Sequence, residues 1–262
     1  VDSILSLSLR PGEREIIIID DGSESSPLNG LLKYEKDIIY IRQKNQGLSV
    51  ARNTGLNMAT GTYIQFLDGD DFLIKTPYEH CLDIIRYHQD ADMVIFDFDT
   101  ATNSITTVYH DTLPTSGTTY MRHHNIHGTA WGYLFRLTDL GELRFTPGIY
   151  HEDEEFTPQL LLRVENVYKT DAKAYYYRQR PQSITGNKST ESKHKRLHDF
   201  LGVIVRLQQL CDKLSQNDRL AIERRVAQLT MAYIYQVIIQ LQSQKALNAC
   251  IDDLSSKGLF PL

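Results

Sequence analysis

Residues 15–23 read EIIIIDDGS, and this stretch decides the fold class of the chain. Four consecutive isoleucines predict a β-strand, because β-branched side chains favour extended backbone. The apolar residues do not alternate with polar ones, which is typical of a strand covered on both faces, as in a parallel sheet. The acidic pair and the glycine that follow predict a turn. We therefore expect a buried strand whose carboxyl end carries two carboxylates.

The same pattern repeats outward along the chain. Apolar runs predict further strands at residues 37–42, 62–67 and 91–99. Helical spacing of apolar residues predicts helices at residues 47–59 and 77–88. Strands that alternate with helices indicate an α/β fold, with a largely parallel central sheet flanked by helices.

The second half of the chain is less regular at first and then helical. We predict a polar loop or a short antiparallel excursion at residues 100–125, a helix at residues 151–163, an extended pair at residues 164–177 and a loop at residues 178–190. Apolar residues then recur at intervals of three and four in two stretches. They predict two amphipathic helices that pack on each other and on the α/β part of the protein that precedes them.

We divide the chain into an α/β domain, residues 1–190, and a C-terminal helical extension, residues 191–262. The extension carries ten basic and seven acidic residues, whereas the whole chain has 28 basic and 33 acidic residues and a net charge of −5. A basic helical face is ordinarily a solvated surface. Alternatively, the extension contacts anionic lipid, where a well-placed cation contributes about 1 kcal/mol.

Composition excludes several classes of protein. Of the 262 residues, 41% are apolar and 23% are charged, so a wholly disordered or fibrous chain is excluded. The negative net charge has the wrong sign for a nucleic-acid partner. No apolar run approaches the roughly 18 residues of a membrane span, and no secretory signal is visible. Cys81, Cys211 and Cys250 form no metal-binding pair, so we expect a reducing, cytoplasmic environment.

Acidic residues follow two of the predicted strands. Asp20 and Asp21 close one strand, and the sequence DGDD at residues 68–71 closes another. Ligands of open parallel sheets bind outside the carboxyl ends of the strands, so both groups are expected to face one crevice. Clustered carboxylates repel each other unless a cation neutralises them, and Mg²⁺ takes carboxylate and phosphate oxygens. The alternative for each cluster is an acidic turn or helix cap.

A third acidic run, HEDEE at residues 151–155, begins a predicted helix. Acids in the first turn of a helix are favoured by the helix dipole, so N-terminal capping is one interpretation. Four consecutive acids exceed what a cap needs. One of them could instead project into the crevice as the general base for a hydroxyl nucleophile.

Five motifs, in this order, closely resemble the inverting glycosyltransferases of family 2, which have the GT-A fold. They are EIIIIDDGS at 15–23, NQGLSVARNTG at 45–55, FLDGDD at 66–71, AWGYLFR at 130–136 and FTPGIYHEDEEF at 145–156. The resemblance extends over about residues 2–180. It implies sugar transfer from a nucleotide-sugar donor, usually a UDP-sugar, with inversion at the anomeric carbon.

On the donor side, the resemblance implies a role for each matching residue. Asp20 and Asp21 are expected beside the base and ribose, and Asp68 near the ribose or sugar. Asp70 is the expected direct ligand of Mn²⁺ or Mg²⁺. Arg52 matches an arginine near the nucleotide, although it could be only a cation on a helix surface.

On the acceptor side, Asp153 matches the presumed catalytic base, and Glu152 is expected to orient it. Trp131 is expected to line the acceptor or sugar pocket, although a lone tryptophan is as often part of the core. The expected acceptor is a glycan or a lipid-linked molecule. The family resemblance implies bacterial surface polysaccharide assembly on the cytoplasmic side, with peripheral contact to the inner face of the membrane as an option. The contacts that read hydroxyl groups are expected on the loops at residues 100–125 and 178–190.

The sequence departs from the family pattern at its start. The family begins with a strand that forms part of the nucleotide pocket, whereas this sequence starts within the helix expected to follow it. We expect the sequence to be incomplete there. A chain without the strand would lack a central member of its sheet, and a non-catalytic sugar-nucleotide-binding or scaffold protein is then the alternative. A metal-dependent phosphohydrolase that uses Asp68 and Asp70 is a further, weaker alternative.

Overall fold

The computed structural model describes residues 1–100, 108–179 and 189–261, and it confirms an α/β fold. The strands are β1 (Ile17–Asp20), β2 (Ile39–Arg42), β3 (Tyr63–Gln65), β4 (Phe72–Leu73), β5 (Met93–Asp99), β6 (Tyr133–Arg136) and β7 (Val167–Tyr176). The helices are α1 (Asp2–Leu5), α2 (Leu28–Leu31), α3 (Leu48–Met58), α4 (Lys75–Tyr87), α5 (Gly117–His123), α6 (Glu152–Leu161), α7 (Thr190–Leu210), α8 (Gln216–Leu241) and α9 (Gln244–Ser256). The strands and helices predicted in the first hundred residues are therefore confirmed.

The described strands form two sheets, and the larger one corrects the expectation of a largely parallel sheet. Strands β1 and β2 pair in parallel. The larger sheet has the order β3-β6-β5-β7-β4, in which β5 and β7 are parallel and the other pairs are antiparallel. Met93 and Val94 on β5 and Phe135 on β6 are all fully buried. Burial on both faces produces unbroken apolar runs whatever the strand direction, so the pattern did not report orientation.

A cavity of about 990 Å³ lies between the two sheets, lined by Ile16 and Ile17 beside β1 and by Tyr63, Ile64 and Gln65 of β3. In the part of the chain that the structure describes, no strand joins β1 to β3. The two sheets are therefore separated by this cavity on the side of β1 and β3.

The structure differs from three predictions for the second half. Helix α5 lies inside residues 100–125, for which no helix was predicted, and Ser116 caps it by accepting the amide of Thr119. The predicted alternative of a short antiparallel excursion is present just before it, where Asp111 and Thr115 form antiparallel bridges to β7. Residues 164–177 contain the single long strand β7 rather than an extended pair. A third C-terminal helix, α9, follows the two that were predicted. Residues 101–107 and 180–188 of the two predicted loops lie outside the described residues.

The C-terminal helices share a core with the sheet. Buried Leu197 and Ile204 of α7 and Val226 of α8 belong to the same apolar cluster as Met93 and Phe135 of the sheet. The boundary at residue 190 stays a prediction, but the packing makes these helices part of the frame around the site. Among the described residues, the structure contains no helix with the length and apolar character needed to span a bilayer.

Candidate active site

The acidic pair at the end of β1 is held by hydrogen bonds within the chain. Asp20 is buried and accepts from the Tyr40 hydroxyl at 2.6 Å and from the Ser23 amide at 2.8 Å. The Tyr40 bond, with the Ser23 bonds and the nearby Arg42 charge, lowers the pKa of Asp20 to about 2, so this carboxyl is ionised at neutral pH. Asp20 thus ties the end of β1 to β2.

Asp21 connects β1 to the start of α3. Its two carboxylate oxygens accept from the amides of Gln46 at 3.0 Å and Gly47 at 2.7 Å, and the Gln43 side chain donates at 2.7 Å. Gly22 lies against this junction with φ +76°, and a Cβ there would come within 2.8 Å of the Asn45 nitrogen. The motif needs glycine here because of both the left-handed backbone and the close approach.

Helix α3 carries the arginine that joins two of the acidic groups. Arg52 is 8% exposed; its Nη1 donates to Glu152 Oε1 at 2.8 Å, and its Nη2 to Asp68 Oδ1 at 3.3 Å. The guanidinium also lies 5.3 Å from the ring centroid of Phe145. Burial opposes the charge of Arg52, but Asp68, Glu152 and Asp153 outweigh it and raise the pKa. The alternative of a cation on the helix surface is wrong, because the side chain is buried between carboxylates.

Asn53, which sequence analysis did not single out, fixes α3 to the segment before α6. Its side-chain amide donates to the Phe145 carbonyl at 2.8 Å, and its side-chain oxygen accepts the Phe145 amide at 2.9 Å. The motif at residues 45–55 is therefore bonded directly to the motif at residues 145–156. The spacing of the motifs does not predict this contact, because the two residues are 92 positions apart in the sequence.

The acidic turn after β3 is held by Tyr175 of β7. The Tyr175 hydroxyl donates to Asp71 Oδ2 at 2.8 Å and accepts the Asp68 amide at 3.2 Å. Burial raises the pKa of Asp71, although the Arg178 amide and Tyr175 stabilise its charge. Asp70 lies in the same turn and is half-buried. Asp68 faces Arg52, so this turn and the start of α6 share one guanidinium.

Three of the four acids that begin α6 pair with arginines in the described part of the chain. The pairs are Glu152 with Arg52 of α3, Glu154 with Arg225 of α8 and Glu155 with Arg206 of α7. Arg206 is bidentate, at 2.7 and 2.9 Å from the two oxygens of Glu155. These side chains point to other helices, so they serve as more than N-terminal caps.

Asp153 differs from its three acidic neighbours. Among the described residues, no arginine or lysine lies within ion-pair distance of it, and its Oδ1 accepts the amide of Glu154 at 2.9 Å. Burial, together with repulsion from Glu152 and Glu154, raises the pKa of Asp153 to about 8, against the attraction of Arg52. A carboxyl group with this pKa takes up a proton near neutral pH, as a general base requires.

Helix α7 fixes the backbone just before the acidic run. His151 has a left-handed backbone with φ +63° and stacks on Phe200 at a centroid distance of 4.4 Å. Burial lowers the pKa of His151 to about 4, so the ring is neutral. Asp199 accepts the Tyr150 amide at 3.0 Å and is paired with Lys195. No pattern in the sequence indicated these contacts, because the spacing of apolar residues in α7 predicted only packing.

Trp131 lies under an aromatic group at the carboxyl ends of β5 and β7. It is 8% exposed and stacks on Tyr175 at 4.4 Å and on Tyr177 at 5.7 Å. Phe98, which is 38% exposed, meets the indole edge-on at 5.1 Å. Trp131 therefore contributes to the core, while Phe98 presents apolar surface to solvent beside the acidic turn.

The carboxylates of the acidic turn suit a hard divalent cation. Within residues 1–100, 108–179 and 189–261, no three His, Cys, Asp or Glu side chains converge as a complete metal cage. Mg²⁺ is commonly bound by one or two carboxylates together with substrate phosphates. Asp70 and Asp68 fit that mode, in which the diphosphate of a ligand would complete the coordination.

Comparison with known proteins shows the family to which the chain belongs. The glycosyl transferase family 2 model matches residues 1–140. Glycosyltransferase GlyA of Streptococcus pneumoniae is 29% identical over 210 residues, which are 71% of this chain and 29% of that protein. The uncharacterized glycosyltransferase EpsJ of Bacillus subtilis is 30% identical over 203 residues, which are 71% of this chain and 58% of that protein. The chain thus spans less than two thirds of both relatives.

Solved structures share the fold. TarS 1–349 of S. aureus in complex with UDP-GlcNAc has a TM-score of 0.60 at 14% identity and covers 100% of this chain and 88% of its own. The mannosyltransferase PcManGT of Pyrobaculum calidifontis, in complex with GDP-Man and Mn²⁺, has a TM-score of 0.62 at 10% identity, over 97% of this chain and 70% of its own. Both support the GT-A architecture. With the family model matching more than half of its residues, the chain belongs to glycosyl transferase family 2.

Proposed function

We propose that the protein transfers a sugar from a nucleotide-diphosphate donor, a UDP-sugar, to an acceptor hydroxyl with inversion at the anomeric carbon. The observation that carries this proposal is the position of Arg52. One buried guanidinium contacts both Asp68 of the acidic turn and Glu152, the neighbour of Asp153. A donor-side carboxylate and the residue next to the expected base are thereby held by the same cation.

On the donor side, Asp70 and Asp68 would hold Mn²⁺ or Mg²⁺ together with the donor diphosphate. A bound cation supplies stabilisation of the negative charge on the departing nucleoside diphosphate. Asp20 and Asp21 border the nucleotide in this proposal. The hydrogen bond of Asp20 to β2 and that of Asp21 to the start of α3 hold the backbone at that edge of the pocket in place.

On the acceptor side, Asp153 removes the proton from the attacking hydroxyl. The acceptor oxygen forms a bond to the anomeric carbon while the bond from that carbon to the diphosphate oxygen breaks on the opposite face. The proton ends on Asp153, and the bonding electrons leave with the nucleoside diphosphate. Glu152, fixed by Arg52, orients the first turn of α6 so that Asp153 keeps its place.

The acceptor we propose is a glycan or a lipid-linked molecule of surface polysaccharide assembly, at the cytoplasmic face of the membrane. Two further relatives support this class: the minor teichoic acid biosynthesis protein GgaB of Bacillus subtilis and the poly(ribitol-phosphate) β-N-acetylglucosaminyltransferase TarP of Staphylococcus aureus, 33% and 37% identical over 93 and 102 residues. The aromatic group of Phe98 and Tyr177 over Trp131 supports a sugar acceptor, because aromatic rings pack against the apolar face of a pyranose.

The deciding experiment measures nucleoside diphosphate release from a panel of UDP- and GDP-sugars, with Mn²⁺, Mg²⁺ or chelator, and with glycan and lipid-linked acceptors. We expect acceptor-dependent release with one UDP-sugar, lost on chelation, and a product of inverted configuration by NMR. Binding of UDP without release from any donor would favour a binding protein instead. Release of inorganic phosphate alone would favour a phosphohydrolase.

A further inference from the structure

The ion pair formed by buried Arg225 and partly buried Glu154 links α8 to the start of α6. The Arg225 side chain is 7% exposed and donates through Nη2 to Glu154. Its Nη1 donates to the Ile126 carbonyl at 2.9 Å, so the same guanidinium also anchors the segment that precedes Gly128. A Cβ on Gly128 would lie 2.0 Å from Glu154 Oε2, so this segment closes directly over the carboxylate.

This pair lies next to the expected base. Glu154 follows Asp153 directly, and its amide donates to Asp153 Oδ1 at 2.9 Å. The charge of Glu154 therefore acts on Asp153 through a short distance and a partly desolvated environment, where Coulomb interactions are stronger than in water. Arg225, which pairs with Glu154, offsets that charge.

We propose that Arg225 is a positioning residue for sugar transfer: by neutralising Glu154 and fixing its side chain toward α8, it keeps Asp153 able to ionise and the first turn of α6 in place. This inference rests on the proposed function. It assigns the C-terminal helices a part in catalysis that packing alone does not require.

Other charged groups around Asp153 also influence its ionisation. Glu152 and Glu154 flank it on α6, Arg52 approaches from α3, and the buried Tyr133 of β6 also lies within electrostatic range. On α7, Arg206 is engaged by Glu155 and Asp199 by Lys195. Glu152 keeps Arg52 as its ion-pair partner when Arg225 is removed. Of the two acids that flank Asp153, only Glu154 then loses its pairing cation.

The test is the pH profile of kcat/KM for four proteins: wild type, Arg225→Gln, Glu154→Gln and the double variant. In Arg225→Gln, the uncompensated carboxylate should move the ascending limb to higher pH by about one unit, which is about a tenfold loss at pH 7. In Glu154→Gln the limb should move to lower pH, because one negative neighbour is gone. The double variant has no charge at either position and should return to the wild-type profile.

Arg224→Gln is the matched control. Arg224 is the preceding residue of α8 and also anchors the segment before Gly128, donating to the Met121 and His124 carbonyls at 2.8 and 2.6 Å. Within the described residues, Arg224 forms no ion pair with an acid of α6, and its other nitrogen donates to Asn125 Oδ1 at 2.8 Å, so the pH profile of Arg224→Gln should match wild type. Thermal unfolding of each variant separates loss of fold from loss of catalysis.

Each outcome has a definite meaning. If Arg225→Gln does not fold, the predictions for Glu154→Gln and for the double variant still apply, and an ascending limb at the wild-type pH in Glu154→Gln overturns the proposal. A folded Arg225→Gln with an unshifted limb overturns it as well. If wild type itself transfers no sugar from any donor, the proposed function fails, and that result is seen before any variant is compared.

Discussion

Arg52 and Glu152 are 100 residues apart in the chain, yet Nη1 of the arginine lies 2.8 Å from Oε1 of the glutamate, and both side chains are buried. The second nitrogen of the same guanidinium reaches Asp68. This contact fixes the distance between the acidic turn after β3 and the start of α6.

Replacing Arg52 with Met should destabilise the protein and abolish most transfer. Glu152 and Asp68 would lose their shared cation, and an uncompensated buried charge costs about 3–5 kcal/mol. The double variant Arg52→Met with Glu152→Gln should recover part of that stability, because the buried charge is gone. Urea unfolding measures the free energy of unfolding of both variants.

Arg42→Met is the control. Arg42 is 46% exposed and lies 3.7 Å from Asp20, so its loss should cost about 1 kcal/mol or less of stability. Equal stability of Arg52→Met and wild type would contradict the role of this contact.

Replacing Asp153 with Asn should lower turnover while leaving donor binding intact. General-base catalysis typically contributes about 10²–10⁴-fold, so turnover should fall by about that factor. Turnover is followed by nucleoside diphosphate release, and UDP binding by calorimetry. The control is Asp83→Asn, which removes an exposed acid on α4 that pairs with Arg86. Full transfer activity in Asp153→Asn would show that another group accepts the proton.

The same variant should also change how stability depends on pH. Burial and the neighbouring acids raise the pKa of Asp153 from 3.8 to about 8 in the folded protein. The folded state therefore binds a proton more tightly than the unfolded chain, and the stability this provides is complete below pH 4 and is lost as the pH rises toward 8. Asn carries no such charge, so Asp153→Asn should melt at a higher temperature than wild type at pH 8.5 and at nearly the same temperature at pH 4.5. Melting curves that differ equally at both pH values would contradict the raised pKa.

Replacing Asp70 with Asn should weaken cation-dependent donor binding. Asn retains one oxygen but no charge, so the affinity for UDP in the presence of Mn²⁺ should fall by about tenfold or more, whereas UDP binding in chelator should not change. Calorimetric titration with and without Mn²⁺ measures the difference. Asp252→Asn, which removes an acid of α9 far along the chain, is the control. An unchanged Mn²⁺ effect in Asp70→Asn would remove Asp70 from the proposed cation site.

The local patterns of the sequence predicted much of the fold. Apolar runs and turn residues predicted β1, β2, β3 and β5, and the spacing of apolar residues predicted α3 and α4. These features are encoded within a few residues, because strand and helix periodicity and turn conformation depend on neighbours in the chain. Strand direction in the larger sheet was not encoded in this way. The paired residues Met93 and Val94 of β5 and Leu134 and Phe135 of β6 are all buried, and a buried apolar run has the same pattern in a parallel and an antiparallel strand.

By itself, the sequence determined which acids belong to the candidate site and that they follow strands or begin a helix. Only the tertiary structure decided what each acid does. Glu152, Glu154 and Glu155 are paired with arginines from three different helices, and Asp153 between them is left with a raised pKa. Four consecutive acids look equivalent in a sequence, because the charges that distinguish them arrive from residues 51 to 100 positions away, through packing that no local spacing records.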